Sequence, residues 1–398
     1  MSITRLGEFA EIQTGPFGSQ LHKEDYVLDG TPIVTVEHLG KRHFTEQNLP
    51  RVSDKDKQRL SKYILSEGDI VFSRVGSVDR CSYVDESNDG WMFSGRCLRV
   101  RTNGTVLPLY LYYYFCLEET KQFMRNIAVG ATMPSINTKL MSEVPIEVPA
   151  LKVQRRIVAM LSAIDKKIEL NEPINENLLQ QATTIFDNAL RRSESVSYAD
   201  LGTLGDVRGG KRLPKGVNLI TEPNSHPYIR VRDLNNVVFA SLSADYEYVD
   251  DETQKSISRY ITAAGDVLIS IVGTIGLTAI VDKSLDNANL TENCVKVTNL
   301  AGITPEYLLL YLRSASGVEA ITKGTVGAVQ LKLPIKNIQA IPVPLLPKSE
   351  MNPLNDVLLA IFKQIAANVM ESKSLAETRD ALLPKLMSGE LDVSGLDL

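Results

Sequence analysis

The chain has 398 residues, 43% hydrophobic and 23% charged, with 43 Lys and Arg against 48 Asp and Glu for a net charge of −5. That length supports two or three independent cores, but the balance excludes the strongly basic character of a typical autonomous nucleic-acid-binding domain, and no stretch approaches the roughly 20 apolar residues that span a bilayer. Met1-Ser2-Ile3-Thr4-Arg5 lacks a signal-peptide core, and Cys81, Cys97, Cys116 and Cys294 form no CxxC pair, so a reducing, cytoplasmic setting is expected.

In chain order, Pro32–Val36 and Asp69–Phe72 are β-rich runs bounded by turn residues and read as strands. Cys97-Leu98-Arg99-Val100-Arg101 alternates, which puts Arg99 and Arg101 on one strand face. A helix is expected from Leu107 to Phe123, then a Pro-punctuated strand over Val144–Pro149. Next come about 40 residues with apolar positions three and four apart, including Ile157, Ile164, Ile168, Leu178 and Ile185. Pro173 is expected to break or kink this helix, because proline removes a backbone donor.

The pattern then returns. Gly68-Asp69-Ile70-Val71-Phe72-Ser73-Arg74-Val75-Gly76 reappears 197 residues later as Gly265-Asp266-Val267-Leu268-Ile269-Ser270-Ile271-Val272-Gly273. The offset carries Cys97 to Cys294, Pro108 to Pro305 and Gly130 to Gly327; near the start of each copy it is 195, taking Gly15 to Gly210. Such a period is far longer than the roughly 20–50 residues of a solenoid unit and describes a duplicated domain with its connector. The second helix is expected from Pro305 to about Ile321, the second Pro-rich strand over Ile341–Pro347, and the second apolar stripe includes Leu354, Ile361, Ile365, Leu375 and Leu382. A 40-residue helix is about 60 Å long and overshoots a domain of this size, so the two stripes are expected to pair with each other. The fold class is therefore α+β, with domains over 1–150 and 193–347, long helices over 151–192 and 348–391, and a tail over 392–398.

No constellation for catalysis stands out. His22, His38, His43 and His226 have no metal-ligand spacing, and there is no GxSxG elbow or dinucleotide fingerprint. Gly205–Arg212 comes close to a phosphate-binding P-loop, but Arg212 stands where that loop needs a hydroxyl. The better reading is a glycine turn beside a basic cluster of Arg208, Lys211, Arg212 and Lys215. Other polar, loop-like stretches flank the repeated scaffold. Arginine pairs bidentately with guanine or phosphate, and Gln and Asn pair with adenine. On that chemistry the expected DNA contacts are Gln13, Thr14, Ser19, Arg74, Thr132, Asn137 and Lys139 in the first domain. In the second they are Arg208, Lys211, Arg212, Arg230, Arg232, Gln330 and Lys332, with Arg230 and Arg232 expected on one strand face where the first copy has Thr35 and Glu37. No metal site is expected.

The doubled Gly-Asp-(Ile/Val)-(Val/Leu)-x-Ser motif, the Pro-Ile-x-Val-Pro and Pro-Val-Pro strands, Val153-Gln154-Arg155-Arg156-Ile157-Val158 and the ending Arg379-Asp380-Ala381-Leu382-Leu383-Pro384-Lys385-Leu386-Met387-Ser388-Gly389-Glu390-Leu391 together resemble the specificity subunit of type I restriction–modification enzymes. The resemblance implies two target-recognition domains, each reading half of a bipartite site in double-stranded DNA, separated by two antiparallel, coiled-coil-like helices with pseudo-twofold symmetry. It also implies a non-catalytic chain that docks two methyltransferase subunits carrying S-adenosylmethionine, with motor-nuclease subunits joining for restriction; no cofactor is expected in this chain. The alternative is a helical scaffold whose domains bind protein, which a steep salt dependence of DNA binding would exclude.

Overall fold

The computed structural model describes residues 2–16, 18, 20–243, 245–327, 330–393 and 395. The chain forms two compact units, Met1–Glu169 with Ser372–Leu398, and Leu170–Glu371.

In the first unit an antiparallel sheet is ordered Ala10–Thr14, Cys97–Thr102, Ile70–Ser73, Cys81–Tyr83. The alternation of Cys97–Arg101 is observed. Leu98 and Val100 enter a core with Phe72 and Phe115, whose rings meet edge-on at 4.7 Å. Arg99 and Arg101 share the opposite face, where carbonyl and carboxylate oxygens take their charge: Arg99 donates to the carbonyls of Lys62 and Ile64, and Arg101 pairs with Asp69. A second sheet joins Tyr26–Val27, Arg51–Val52, Thr31–Val34 and Met92–Phe93. Ser2–Arg5 pairs antiparallel with the Pro-rich strand Pro145–Val148, since only an edge strand tolerates prolines that cannot donate.

The second unit repeats this plan. Its main sheet runs Asp206–Gly209, Cys294–Thr298, Val267–Ser270, Thr278–Val281, Phe239–Ala240. The register Ile70↔Val100 recurs as Val267↔Val297. The carboxylate recurs as Asp266, but its cation is now Lys296, at the place of Arg99 instead of Arg101, 2.9 Å away.

Two expectations need correction. The helix from Leu107 is two helices, Pro108–Cys116 and Glu118–Ile127, parted by extended backbone at Leu117 (ψ 133°); its counterpart is Pro305–Arg313 and Ala315–Gly324, parted at Ser314 (ψ 161°). Ser314 caps the later helix through the amide of Gly317, and that competition with the helical backbone is what ends the earlier one. Gly317 is required there, because a Cβ would sit 2.0 Å from the Tyr311 carbonyl oxygen. Pro173, in turn, does not break its helix: Leu151–Arg192 is continuous. The carbonyl left without an intrahelical donor is that of Glu169, and Pro173 is exposed.

The second long helix is Lys348–Met387. Within the first unit, Ile157 and Leu161 share a core with Leu383, Leu386 and Met387, and Asp165 pairs with Arg379 at 2.8 Å. Within the second, Ala182 and Phe186 share a core with Leu354, Leu358 and Phe362, while Asn171 donates to Glu371 and Asn368 donates to Asn175. In each unit numbers rise along one helix as they fall along the other, so the helices run antiparallel. Among the expected seam positions Ile157, Leu354 and Ile365 are buried, and Ile164, Ile168, Leu178, Ile361, Leu375 and Leu382 are half-buried. Ile185 is exposed; Phe186 beside it takes the buried position against Tyr307.

Asn171 and Asn368 are counterparts under the 197-residue offset and touch each other, the Asn171 amide donating to the Asn368 carbonyl at 3.3 Å. Both are buried. The Asn171 acceptor is the backbone carbonyl, which Asn368→Ala keeps; truncating Asn171 removes its bonds to that carbonyl and to Glu371, and truncating Asn368 removes its bond to Asn175. Urea unfolding followed by circular dichroism should show a loss of ~1 kcal/mol for each, the two losses being nearly additive.

Candidate nucleic-acid interface

In each unit four loops meet at one end of the main sheet, held by backbone bonds. In the first, the strand Ala10–Thr14 leaves the sheet at Gly15, whose amide donates to the Cys97 carbonyl at 3.2 Å. A Cβ on Gly15 would lie 2.1 Å from the Ser94 carbonyl oxygen, so glycine alone fits. The Arg74 amide donates to Arg96 at 2.8 Å, and the Arg74 carbonyl accepts from Ile136 at 3.0 Å. Val129 and Ser135 exchange bonds of 2.9 and 2.8 Å, closing the turn that holds Thr132, and Gly76 (φ +76°) donates to Pro134.

The second unit has the same circuit. Gly210 donates to Cys294 at 3.0 Å, Ile271 to Asn293 at 2.8 Å, Leu333 to Ile271 at 3.0 Å, and Val326 exchanges bonds with Lys332 at 2.8 and 2.9 Å. Gly210 is as constrained as Gly15, since a Cβ there would lie 2.0 Å from the Thr291 carbonyl oxygen. The backbone is shared and the side chains on it differ.

This circuit brings together Gln13, Thr14, Arg74, Thr132, Asn137 and Lys139. Thr132, Asn137 and Lys139 are exposed, and Gln13, Thr14 and Arg74 half-buried. Asn137 caps the short helix Thr138–Ser142 by accepting from Leu140 at 2.8 Å, which leaves its amide NH₂ to face outward. Ser19 lies outside the described residues. In the second unit Arg208 is exposed on the strand Asp206–Gly209, and Lys211, Arg212, Gln330 and Lys332 are exposed on the loops. Arg230 and Arg232 are not on a strand: the strand stops at Ile229, and Arg230 precedes a 3-10 turn, Val231–Leu234, matched in the first unit by Thr35 and Val36–His38. Asp233 forces this turn by accepting from the Arg230 amide at 2.7 Å.

The cations of the second unit have acidic neighbours, which is why the domain is not basic overall. Arg208 pairs with Asp206 at 2.8 Å, Arg212 with Glu292 at 2.7 Å, and Arg230 with Glu247. Arg232 lies 3.4 Å from Asp233. Burial is the main force on the Asp233 carboxyl and pushes it up to about 6, against the opposing pull of Arg232. Arg212, Tyr228, Arg230, Arg232, Thr291 and Asn293 line an open recess of about 450 Å³.

One loop escaped the sequence reading. Ser94-Gly95-Arg96 stands opposite Thr291-Glu292-Asn293 under the offset, and both stretches are stitched into the circuit. An exposed Arg96 in one domain answers Asn293 in the other, two residue types that read different bases. The signal was present as the three residues before the equivalent cysteines.

Nothing among the described residues is arranged for catalysis by metal or thiolate. No group of three His, Cys, Asp or Glu side chains could hold a metal ion. Burial pushes the Cys97 thiol up to about 11 and the Cys294 thiol to about 12, so neither is a nucleophile near neutrality. No helix of the described residues is long and apolar enough to cross a membrane.

Comparison with known proteins agrees along the chain. The family model described as "Type I restriction modification DNA specificity domain" matches twice, at residues 1–180 and 193–377. The chain is 23% identical to the type I restriction enzyme HindI specificity subunit of Haemophilus influenzae, covering 85% of this chain and 89% of that one. It is also 23% identical to the MjaIX specificity subunit of Methanocaldococcus jannaschii, covering 99% and 94%. The solved S subunit of a type I restriction–modification system from M. genitalium shares the fold, with a TM-score of 0.56 at 16% identity over 97% of this chain and 95% of that one. The repeated scaffold with two matches to one model places this chain in the type I restriction–modification DNA specificity family.

Proposed function

We propose that the chain is the non-catalytic subunit that reads DNA sequence for a type I restriction–modification complex. Each loop cluster reads one half of a bipartite site in double-stranded DNA. The long helices set the two readers apart and dock two methyltransferase subunits, which bring S-adenosylmethionine, and through them motor-nuclease subunits. The complex works in the cytoplasm, where the DNA is. The observation that carries this reading is the pair of matching backbone circuits with different side chains, Arg74, Arg96 and Ser135 on one against Ile271, Asn293 and Lys332 at the same places on the other. Such a scaffold presents two different sets of hydrogen-bonding groups in the same frame, as a reader of two unlike half-sites requires.

The test is to co-express the chain with a methyltransferase subunit from the same genome and map methylated adenines in host DNA. The expected result is a single two-part motif with a fixed gap; a stable complex that leaves DNA unmodified would leave only the protein-binding scaffold. Arg96→Ala and Asn293→Ala should each relax base preference in a different half of that motif, losing about 1–3 kcal/mol of discrimination. Removing Lys211 and Arg212 should instead weaken binding to all sequences alike and flatten the salt dependence by about one log unit for each phosphate no longer held.

Protonation of Asp233 supplies a further check. Its folded value of about 6 lies above that of a free carboxyl, so it is charged at pH 7 and neutral at pH 5. Losing a negative charge beside Arg232 should strengthen DNA binding by about fivefold as pH falls through 6, the worth of ~1 kcal/mol for a unit charge a few ångströms away in water. D233N should bind at pH 7 as the wild type does at pH 5, with that step removed, as measured by fluorescence anisotropy on a target duplex.

A further inference from the structure

Where the first recognition domain meets the long helices, the contact is ionic; at the matching place in the second unit the groups that replace the ionic ones are apolar, beside an arginine, Arg313, that donates to the Val237 and Thr278 carbonyls. Asp165, 4% exposed, accepts from the Tyr113 hydroxyl at 2.5 Å and from Arg379 at 2.8 Å. Arg42 lies 3.4 Å from Asp165 and 3.2 Å from Glu169. His43 sits between two carboxylates, Asp85 at 2.6 Å and Glu169 at 2.8 Å.

The 197-residue offset takes Asp165 to Phe362, Glu169 to Ala366, Tyr113 to Leu310, and Ala182 to Arg379. Arg42 and His43 correspond to Val238 and Phe239, because the Tyr83 amide donates to the Arg42 carbonyl as the Ile280 amide does to that of Val238. The rings of Phe239 and Phe362 meet edge-on at 6.2 Å, and Ala182, Leu310 and Phe362 belong to one buried core. Only Asp85 keeps its chemistry, as Asp282, which caps a turn through Ser284.

Stability alone gives no reason for the difference, since a buried ionic network and a well-packed apolar one are often about equally favourable. A crossed contact is another matter. Phe239 in place of Arg42 and His43 would take one of two cations from Asp165 and both of these partners from Glu169, and Arg42 against Phe362 would meet no carboxylate there, so either mismatch is destabilising. Chains with repeated domains are prone to exchange those domains during folding, within a chain or between copies.

We propose that the two seats are non-interchangeable docking surfaces that assign each recognition domain to its own stretch of the helix pair. The helix face carrying Asp165, Glu169 and Arg379 accepts a domain presenting Arg42 and His43. The face carrying Phe362 and Ala182 accepts one presenting Phe239. The excluded partner is the wrong domain, from the same chain or from a second copy.

The full-length protein tests this through Trp91, its single tryptophan, which stacks on Phe44 beside His43 at 6.2 Å. R42V/H43F changes the domain side alone, and Y113F/D165F/E169A/R379A changes the facing side alone. Each should lower the unfolding midpoint read by Trp91 fluorescence by about 5 °C or more. Combining them makes both seats apolar and matched, and should restore most of the loss. The combined variant should then refold from urea into a mixture containing exchanged, multi-chain species on size-exclusion chromatography, where the wild type returns as one species. A combination no more stable than the sum of its halves, folded or not, overturns the proposal, and so does a combined variant that refolds as cleanly as the wild type.

Discussion

A buried backbone amide or carbonyl must find a partner whatever side chain it carries, and the loop clusters at the ends of the two main sheets are built on that constraint. In both units the loop after the central strand donates to the loop before the equivalent cysteine and accepts from the loop before a short helix. Because those bonds belong to the main chain, Arg74 can stand where Ile271 does, and Arg96 where Asn293 does, with no change in backbone path. The glycines at 15 and 210 belong to the same constraint, for their chains pass too close to a carbonyl for any Cβ. A surface that must vary its chemistry while keeping its frame is best served by bonds that do not involve the varying atoms.

The helix seam obeys a related rule with side chains. Most of it is apolar, and apolar stripes at three- and four-residue spacing leave a helix pair free to slip by a turn. The buried Asn171 and Asn368 restrict that freedom, because a slip of either helix would part their side-chain amides from Glu371 and Asn175. That the two are repeat counterparts has a geometric meaning: an antiparallel pair of equivalent helices is self-complementary only when equivalent residues meet. The ionic seat around Asp165 in the first unit and the aromatic one around Phe362 in the second break this equivalence away from the asparagines, so the repeat keeps its local backbone while changing the groups that dock on it.

Much of this architecture was legible in the sequence. A period of 197 residues, strands bounded by turn residues and two long apolar stripes are properties of spacing, and spacing is what sequence displays. The misreadings arose where one side chain decides. Ser314 ends a helix that periodicity carried onward, and Asp233 folds Arg230 and Arg232 into a turn that alternation read as a strand. Phe186, not Ile185, takes the buried place because the helix presents two neighbouring apolar residues and only the domain packed on it selects between them. At the loops, residue type picked out polar groups but passed over Ser94–Arg96, which join the same cluster through main-chain bonds that composition does not reveal. The anchors were hidden for a third reason: Arg42 and Asp165 are far apart in the chain, and only folding makes them partners.

Charge, the property that argued most against a nucleic-acid partner, acquires a physical sense in the folded chain. Arg208, Arg212 and Arg232 each have a carboxylate close by, so the second domain is neutral because its cations are internally matched rather than scarce. Exposed pairs of this kind are worth about 0–1 kcal/mol, so a phosphate can replace the carboxylate at little cost, yet each exchange also gains little. A reader built this way grips the DNA backbone weakly and depends more heavily on base edges, which raises the fraction of its affinity that discriminates between sequences. Where two such domains of one chain meet the same DNA, the second binds at a raised effective concentration. Near-neutral domains repeated in one chain are therefore a coherent solution for a DNA specificity protein, in which discrimination between sequences matters more than total hold.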